Sequence, residues 1–292
     1  MSWLYATIGA AVIWAVLGVI AKELMDHSSG LVYTFLYSAL AFLFYTPLFI
    51  YFYPRTELEL FPLVIGVFLV SGVANVFGFM AYNYSIKYGE LSRVIPFTKL
   101  NPVFTAVLGV LILGEAMTYM KGGGIVLVTL GSYVILEEKD ASIREPIRRF
   151  RELEAPKLAV ASAFIFSIAA IADRYATQRI SPKLYTYFLY VFLTGTLGGY
   201  ILARRKDLVS TVKTELRENL ELYAFTGVGA ATASYLIFYA FSNAAASKVI
   251  PVLQIQVLLS IIFGFEFFNE GNLSRKILGS AVLVAGVVMV AL

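Results

Sequence analysis

Ten stretches of mostly apolar residues make up nearly all of this 292-residue chain, at approximately 3–22, 31–53, 62–86, 93–113, 118–136, 157–178, 184–203, 222–244, 248–268 and 276–292. Each is close to the length of about 20 residues that lets a helix cross the roughly 30 Å hydrocarbon layer of a bilayer. Most gaps carry breakers or charges, as in Asp26-His27-Ser28-Ser29-Gly30, Pro54-Arg55-Thr56-Glu57 and Glu270-Gly271-Asn272. A closed β-barrel would instead show alternating strands of about ten residues. Runs such as Ile277–Leu292 are apolar on all sides. The pattern predicts an all-α integral membrane protein with ten transmembrane helices.

Composition narrows the function classes. Hydrophobic residues are 59% and charged residues 14% of the chain, against about 45–50% and about 25% in a soluble domain. Too few charges remain for a solvated skin, which disfavours a soluble enzyme or a disordered protein. The net charge of +4 sits in short clusters between apolar runs, so nucleic acid is not an expected partner. With no cysteine and a single histidine, His27, disulfides, thiolate metal sites and a Ser–His dyad have no material to form from, and no cofactor or metal is expected. Met1-Ser2-Trp3 lacks a basic region, and the first apolar run is long enough to span, which predicts no cleavable signal.

Two segments, 137–157 and 204–221, are charged and compatible with helix. They read as solvated or interfacial connectors; a site for anionic lipid is the sharper alternative, weakened by the acidic residues among the arginines.

Comparison of the chain with itself is informative. At an offset of 155, Arg93-Val94-Ile95-Pro96 falls on Lys248-Val249-Ile250-Pro251. The same register pairs Gly72 with Gly227, Glu115 with Glu270, Lys121 with Lys276, Gly124 with Gly279 and Gly131 with Gly286. Shared apolar composition would match Leu and Val at random, not charges, Gly and Pro in one register. The expected units are residues 1–137 and 157–292, joined by a charged connector at 138–156. With five helices each, the second unit enters from the opposite side of the membrane. Such inverted repeats, related by an axis in the membrane plane, are the architecture of secondary transporters, with substrate bound near the midplane between the repeats.

The run Leu100-Asn101-Pro102-Val103-Phe104, followed by Gly109, Gly114-Glu115, Lys121, Gly124 and Gly131, resembles the end of an EamA domain of the drug/metabolite transporter superfamily. In the second copy Val257 replaces the proline and Asn269-Glu270 replaces Gly-Glu. The resemblance covers essentially the whole chain. It implies a ten-helix, multi-pass cell-membrane transporter whose central cavity is lined mainly by the third and fourth helices of each unit. It also implies a small-molecule substrate, often an amino acid or related metabolite that is exported, and a protein working as a monomer or weak dimer. Organic cations or drug-like amines are an alternative cargo. Nucleotide sugars and sugar phosphates fit less well, since the Phe-Tyr-Asn-Asn run of those branches is absent. No GxxxxGK[ST] loop is present, so ATP is not the expected energy source. A non-transporting receptor is the alternative from another class; an intramembrane enzyme would need a His, Cys or Asp cluster that the sequence lacks.

Polar groups inside a bilayer are costly, which makes each a candidate. Lys99 pairs with Gln254 in the repeat register and Asn101 with Gln256. Positions polar in both copies are expected around the cavity, Lys99 holding an anionic group while the amides donate hydrogen bonds. The alternative is a snorkelling lysine beside packed amides. Asn75 and Tyr82 share a face of the third helix, and Tyr235 and Tyr239 a face of the eighth; these walls suit an apolar or cationic moiety or simply pack. Trp14 lies deeper than an interfacial belt residue and is expected in the cavity. Glu115 and Glu270 end the fourth and ninth helices and read as clamps, either capping the next helix or pairing with Lys121 and Lys276; a coupling-ion site is the alternative. Pro96 and Pro251 read as structural. Glu266 and Asp173 are candidate carriers of a coupling proton, although Arg174 stands ready to neutralise Asp173. Gly195-x-x-Gly198-Gly199 is expected to permit close helix approach.

The connectors on one side hold most of the Lys and Arg residues. The positive-inside rule then puts both termini outside, while the family resemblance puts them in the cytoplasm; orientation stays open.

Overall fold

The structure is a computed structural model, and it describes residues 2–52, 62–88, 97–136, 154–259 and 273–292. Among these residues every regular element is α-helical. Eleven helices follow in order: α1 (Ser2–His27), α2 (Gly30–Phe52), α3 (Pro62–Tyr88), α4 (Asn101–Leu113), α5 (Tyr119–Leu136), α6 (Glu154–Thr177), α7 (Pro182–Arg204), α8 (Asp207–Glu218), α9 (Leu220–Asn243), α10 (Ala246–Leu253) and α11 (Leu273–Ala291). Five of them are long and apolar enough to cross a membrane, over Ser2–Met25, Gly30–Tyr51, Glu154–Thr177, Pro182–Arg204 and Leu220–Asn243. Shorter apolar helices cover Ile65–Phe79, Asn101–Leu113, Ala246–Leu259 and Leu278–Ala291. Large apolar side chains such as Leu43, Ile50, Leu111, Phe225 and Leu278 stand exposed on the outer faces, where contact with lipid costs them nothing.

The fourth apolar stretch is not the continuous helix expected from residue 93. Residues 99–100 form a turn and α4 starts at Asn101, so Pro102 occupies the first helical turn, where its missing N–H breaks no bond. The second half has a turn at Gln254, the counterpart of Lys99, immediately after α10. Pro251 lies inside α10, while Pro96 falls outside the described residues.

Helices of the first half pack mainly on helices of the second. α5 lies along α11, α3 along α6, α1 along α9, α2 along α7 and α9, and α4 against α6 and α10. The α5–α11 contact is close enough to exclude side chains. A Cβ on Gly124 would lie 2.7 Å from the Gly286 carbonyl oxygen, and one on Gly131 would lie 2.8 Å from that of Gly279. Among the 195–199 glycines, only Gly198 meets a neighbouring helix, at Phe35.

The charged segment after α7 forms α8. Its apolar residues Leu208, Val212 and Leu216 dock on the core between α1, α2, α7 and α9. Its buried Glu215 accepts from the Tyr223 hydroxyl at 3.2 Å and the Asn219 amide at 3.3 Å.

Candidate functional site

A cavity of about 230 Å³ opens between the two halves. α1 supplies Trp14 and α2 supplies Tyr37. Asn75 and Phe79 come from α3, and Asn101 from the start of α4. α6 contributes Phe166 and Asp173, α7 Tyr190, and α9 Ser234, Phe238 and Phe241, while α10 closes the wall with Ile250 and Leu253. The surface is aromatic and aliphatic with a few polar groups, the usual makeup of a small-molecule site.

Asp173 is the charged group in that wall. It is 9% exposed on a helix otherwise rich in alanine. A buried carboxylate is expensive unless hydrogen-bonded, and here two hydroxyls donate to its Oδ1, Ser71 from α3 and Tyr185 from α7, the latter at 2.7 Å. Ser71 also accepts from the Asn75 Nδ2, through its carbonyl at 2.9 Å and its hydroxyl at 3.3 Å. Asn75, Ser71, Asp173 and Tyr185 therefore form one chain of hydrogen bonds across three helices. Arg174 does not neutralise its neighbour: adjacent helical residues project about 100° apart, and its guanidinium donates to the Phe241 carbonyl on α9.

Asn101 fixes α4 against α6. Its Nδ2 donates to the Ala163 carbonyl and the Ser167 hydroxyl, both at 3.0 Å, and Ser167 donates back to the Asn101 carbonyl at 3.2 Å. Elsewhere in the wall, the Tyr190 and Ser234 hydroxyls pair at 2.9 Å, and Phe79 meets Phe166 edge to face with ring centroids 5.1 Å apart. Gly78 makes this contact possible, because a Cβ there would sit 2.8 Å from the Phe166 ring.

Trp14, Asn75, Asn101 and Asp173 thus share the cavity, whereas the other candidates among the described residues are not part of its wall. Lys99 and Gln256 are half-buried. Gln254 is buried and its Oε1 has no donor, so it accepts no hydrogen bond from Lys99. The physical reason is the break at the start of α4, which alters the side-chain directions that a continuous helix would give. Tyr82 lies farther along α3 than the wall reaches. Tyr235 turns to a second cavity of about 270 Å³ between α2, α7 and α9, next to Tyr45 and Lys183. Tyr239 packs in the core, its ring 6.4 Å from that of Tyr235. Glu266 and Glu270 lie outside the described residues. Ser71, Tyr185 and Tyr190 were not singled out by sequence. Tyr185 and Tyr190 fall on Gly30 and Phe35 in the repeat register and gave no signal, whereas Ser71 falls on Thr226, a hydroxyl in both copies that could have marked it.

Glu115 works at long range. Gly114 adopts φ 64°, open to glycine without steric cost, and the Glu115 N–H reaches back to the Gly109 carbonyl at 3.0 Å. The turn lays the Glu115 carboxylate over Gly109, where a Cβ would be 2.7 Å from its oxygen. From there it accepts the N–H of Ala246 at 2.7 Å and of Ser247 at 3.1 Å, together with the Ser247 hydroxyl. Glu115 therefore caps α10, in the other half of the chain, and not the helix that follows it. Lys121 donates to the Ala116 carbonyl at 2.9 Å, and among the described residues no ion pair joins it to Glu115. Gly109, Gly114 and Glu115 are thus one device, in which one glycine turns the chain and the other makes room.

Comparison with known proteins places the chain. The model of the EamA-like transporter family matches residues 1–137 and again 155–292. The chain belongs to the EamA-like transporter family. It is a membrane protein and a transporter by family, with a small-molecule substrate and the lipid bilayer as its partners. This EamA-like transporter is 20% identical over 284 residues to an uncharacterized transporter of Archaeoglobus fulgidus, covering 97% of this chain and 95% of that one. A Helicobacter pylori uncharacterized transporter is 20% identical over 228 residues, 77% of this chain and 71% of its own. A Sinorhizobium sp. protein, an uncharacterized transporter in the cobO 3' region, is 35% identical over 66 residues; that match covers 23% of this chain and 47% of the relative, about half its length. One crystal structure of a protein superposes over 100% of this chain and 99% of its own with a TM-score of 0.77 at 15% identity, a likeness of fold.

Proposed function

We propose that this protein is a secondary transporter that carries a small metabolite through the cavity between its halves by alternating access. The observation that carries the reading is the composition of the wall: both halves supply it, and Asp173 lies in it. A site built by two bodies changes its exposure when one rocks against the other, and no further device is required.

The proposed frame is ten spans in two inverted units of five, 1–137 and 157–292, joined by 138–156. The reciprocal glycine contacts support it. Gly124 meets Gly286 and Gly131 meets Gly279, while the repeat register pairs Gly124 with Gly279 and Gly131 with Gly286. Such crossed pairing is the pattern of a twofold contact. The packing of α3 on α6 and of α9 on α1 is likewise one contact made twice in that register. We take the direction as export from the cell, with Asp173 as the carrier of a coupling proton.

Reconstitution tests the reading. Purified protein in sealed liposomes should equilibrate at least one solute of a metabolite panel, and Asp173→Asn should abolish any dependence of that flux on a proton gradient. Because the chain has no cysteine, single cysteines at Trp14 and Phe241 should react with impermeant reagents from alternate sides as solute is varied. Fixed one-sided labelling, with no flux of any panel solute, sinks the proposal.

A further inference from the structure

We propose that the cavity takes a compact organic cation, a protonated amine on an apolar and preferably aromatic body, with Asp173 as its counter-charge. This rests on the transport reading of the same cavity and narrows its cargo.

The charge inventory of the wall is the first argument. Among the described residues, Asp173 is its acidic group and no Lys, Arg or His joins it. Lys99, the cation expected there, stands outside, and Arg174 is committed to the Phe241 carbonyl on α9. The two hydroxyls on Asp173 both use Oδ1. A carboxylate offers about four acceptor positions over two oxygens, so Ser71 and Tyr185 hold the group in place without exhausting it.

Hydrogen-bond polarity is the second. The two amides in the wall spend their N–H groups on protein: Asn75 on Ser71, and Asn101 on Ala163 and Ser167. What each has left for a ligand is its oxygen, an acceptor. An ammonium has three donors and no acceptor, which matches a carboxylate flanked by amide oxygens.

The third argument weighs against the rival. A zwitterion or an anion needs donors for its carboxylate, and the start of α4 beside Asn101 is one candidate source. Two N–H groups of that turn are already spent. Val103 and Phe104 both donate to the Leu100 carbonyl, at 3.0 and 3.1 Å, and Pro102 has no N–H to give. The rest of the wall carries the rings of Trp14, Phe79, Phe166, Phe238 and Phe241 and the hydroxyls of Tyr37, Tyr190 and Ser234. Aromatic faces attract cations, whereas the donors left for a carboxylate are neutral, the Trp14 N–H and the hydroxyls.

Three probes share a phenylethyl body and differ in charge: phenethylamine, phenylalanine and phenylpropionate. Calorimetric titration of the full-length protein in detergent should show phenethylamine binding at least about tenfold more tightly than either of the others. Asp173→Asn should weaken phenethylamine about tenfold and leave uncharged phenylethanol unchanged. Equal or tighter binding of phenylalanine or phenylpropionate overturns the inference, as does an absence of phenethylamine binding at millimolar concentration. If the variant fails to fold, the wild-type series decides alone. Flux into sealed vesicles separates the two levels: an amine that binds while no solute crosses defeats the transport reading, whereas flux of another solute without amine binding defeats the cation.

Discussion

The Oε1 oxygen of Glu115 accepts the backbone N–H of Ala246 at 2.7 Å, so a carboxylate in the first half of the chain starts a helix in the second. The first N–H groups of any helix lack partners within it, and an anion is the best of caps because it also meets the helix dipole. Here the cap is a bond between halves, made through a turn that only Gly114 readily adopts.

Glu115→Gln should therefore destabilise the protein by about 1–3 kcal/mol, since an amide keeps one acceptor oxygen and turns its NH2 toward one of the two N–H donors. Ser247→Ala, which removes only the hydroxyl bond, should cost about 1 kcal/mol. Thermal unfolding in detergent checks both, with the larger drop expected at Glu115.

The α5–α11 seam gives a steric prediction. Gly124→Ala puts a methyl 2.7 Å from the Gly286 carbonyl oxygen and 2.8 Å from Val290, and overpacking of this kind costs about 1–3 kcal/mol. Gly199 has nothing within 4 Å of a Cβ, so Gly199→Ala should leave stability equal or higher by up to about 1 kcal/mol, the helix propensity difference. Opposite signs for two identical substitutions are the expected result of a melting comparison.

Tyr190 and Ser234 form a pair at 2.9 Å in the cavity wall. Tyr190→Phe or Ser234→Ala alone leaves a buried hydroxyl without its partner, at about 1–3 kcal/mol. The double substitution should cost less than the sum of the two, and a double-mutant cycle by chemical denaturation measures the coupling.

Gln254 presents the reverse case. Its buried Oε1 has no donor, so Gln254→Met, of similar length and without the orphaned oxygen, should hold or raise the melting temperature. A clear drop would mean that the amide is bonded in the folded protein in solution.

The long helices were legible in the sequence because apolar runs of membrane length admit little else. α1, α2, α6, α7 and α9 stand where five of the ten stretches were drawn. Polarity in an apolar context also marked Asn75, Asn101 and Asp173, and depth along α1 marked Trp14; all four line one wall. Lys99 and Gln254 are not among the residues of that wall, and both fall at turns, where a periodicity argument that assumes an unbroken helix does not apply. Ser71 and Tyr185 were hidden for another reason. A hydroxyl gains its meaning from what it touches, and Asp173 lies 102 residues from Ser71 along the chain. The reach of Glu115 to Ala246, across 131 residues, was equally out of view.

The glycine seam has a consequence for how this sequence can drift. Gly124 is pressed against Gly286, and Gly131 against Leu283 and Gly279, so side-chain growth in α5 meets backbone that no rotamer change can move. Accommodating a larger residue on one side requires a displacement of the whole opposing helix, and that helix is held by the same kind of contact one register step away. These four positions are therefore expected to change together or not at all, however freely the lipid-facing surfaces of α5 and α11 diverge.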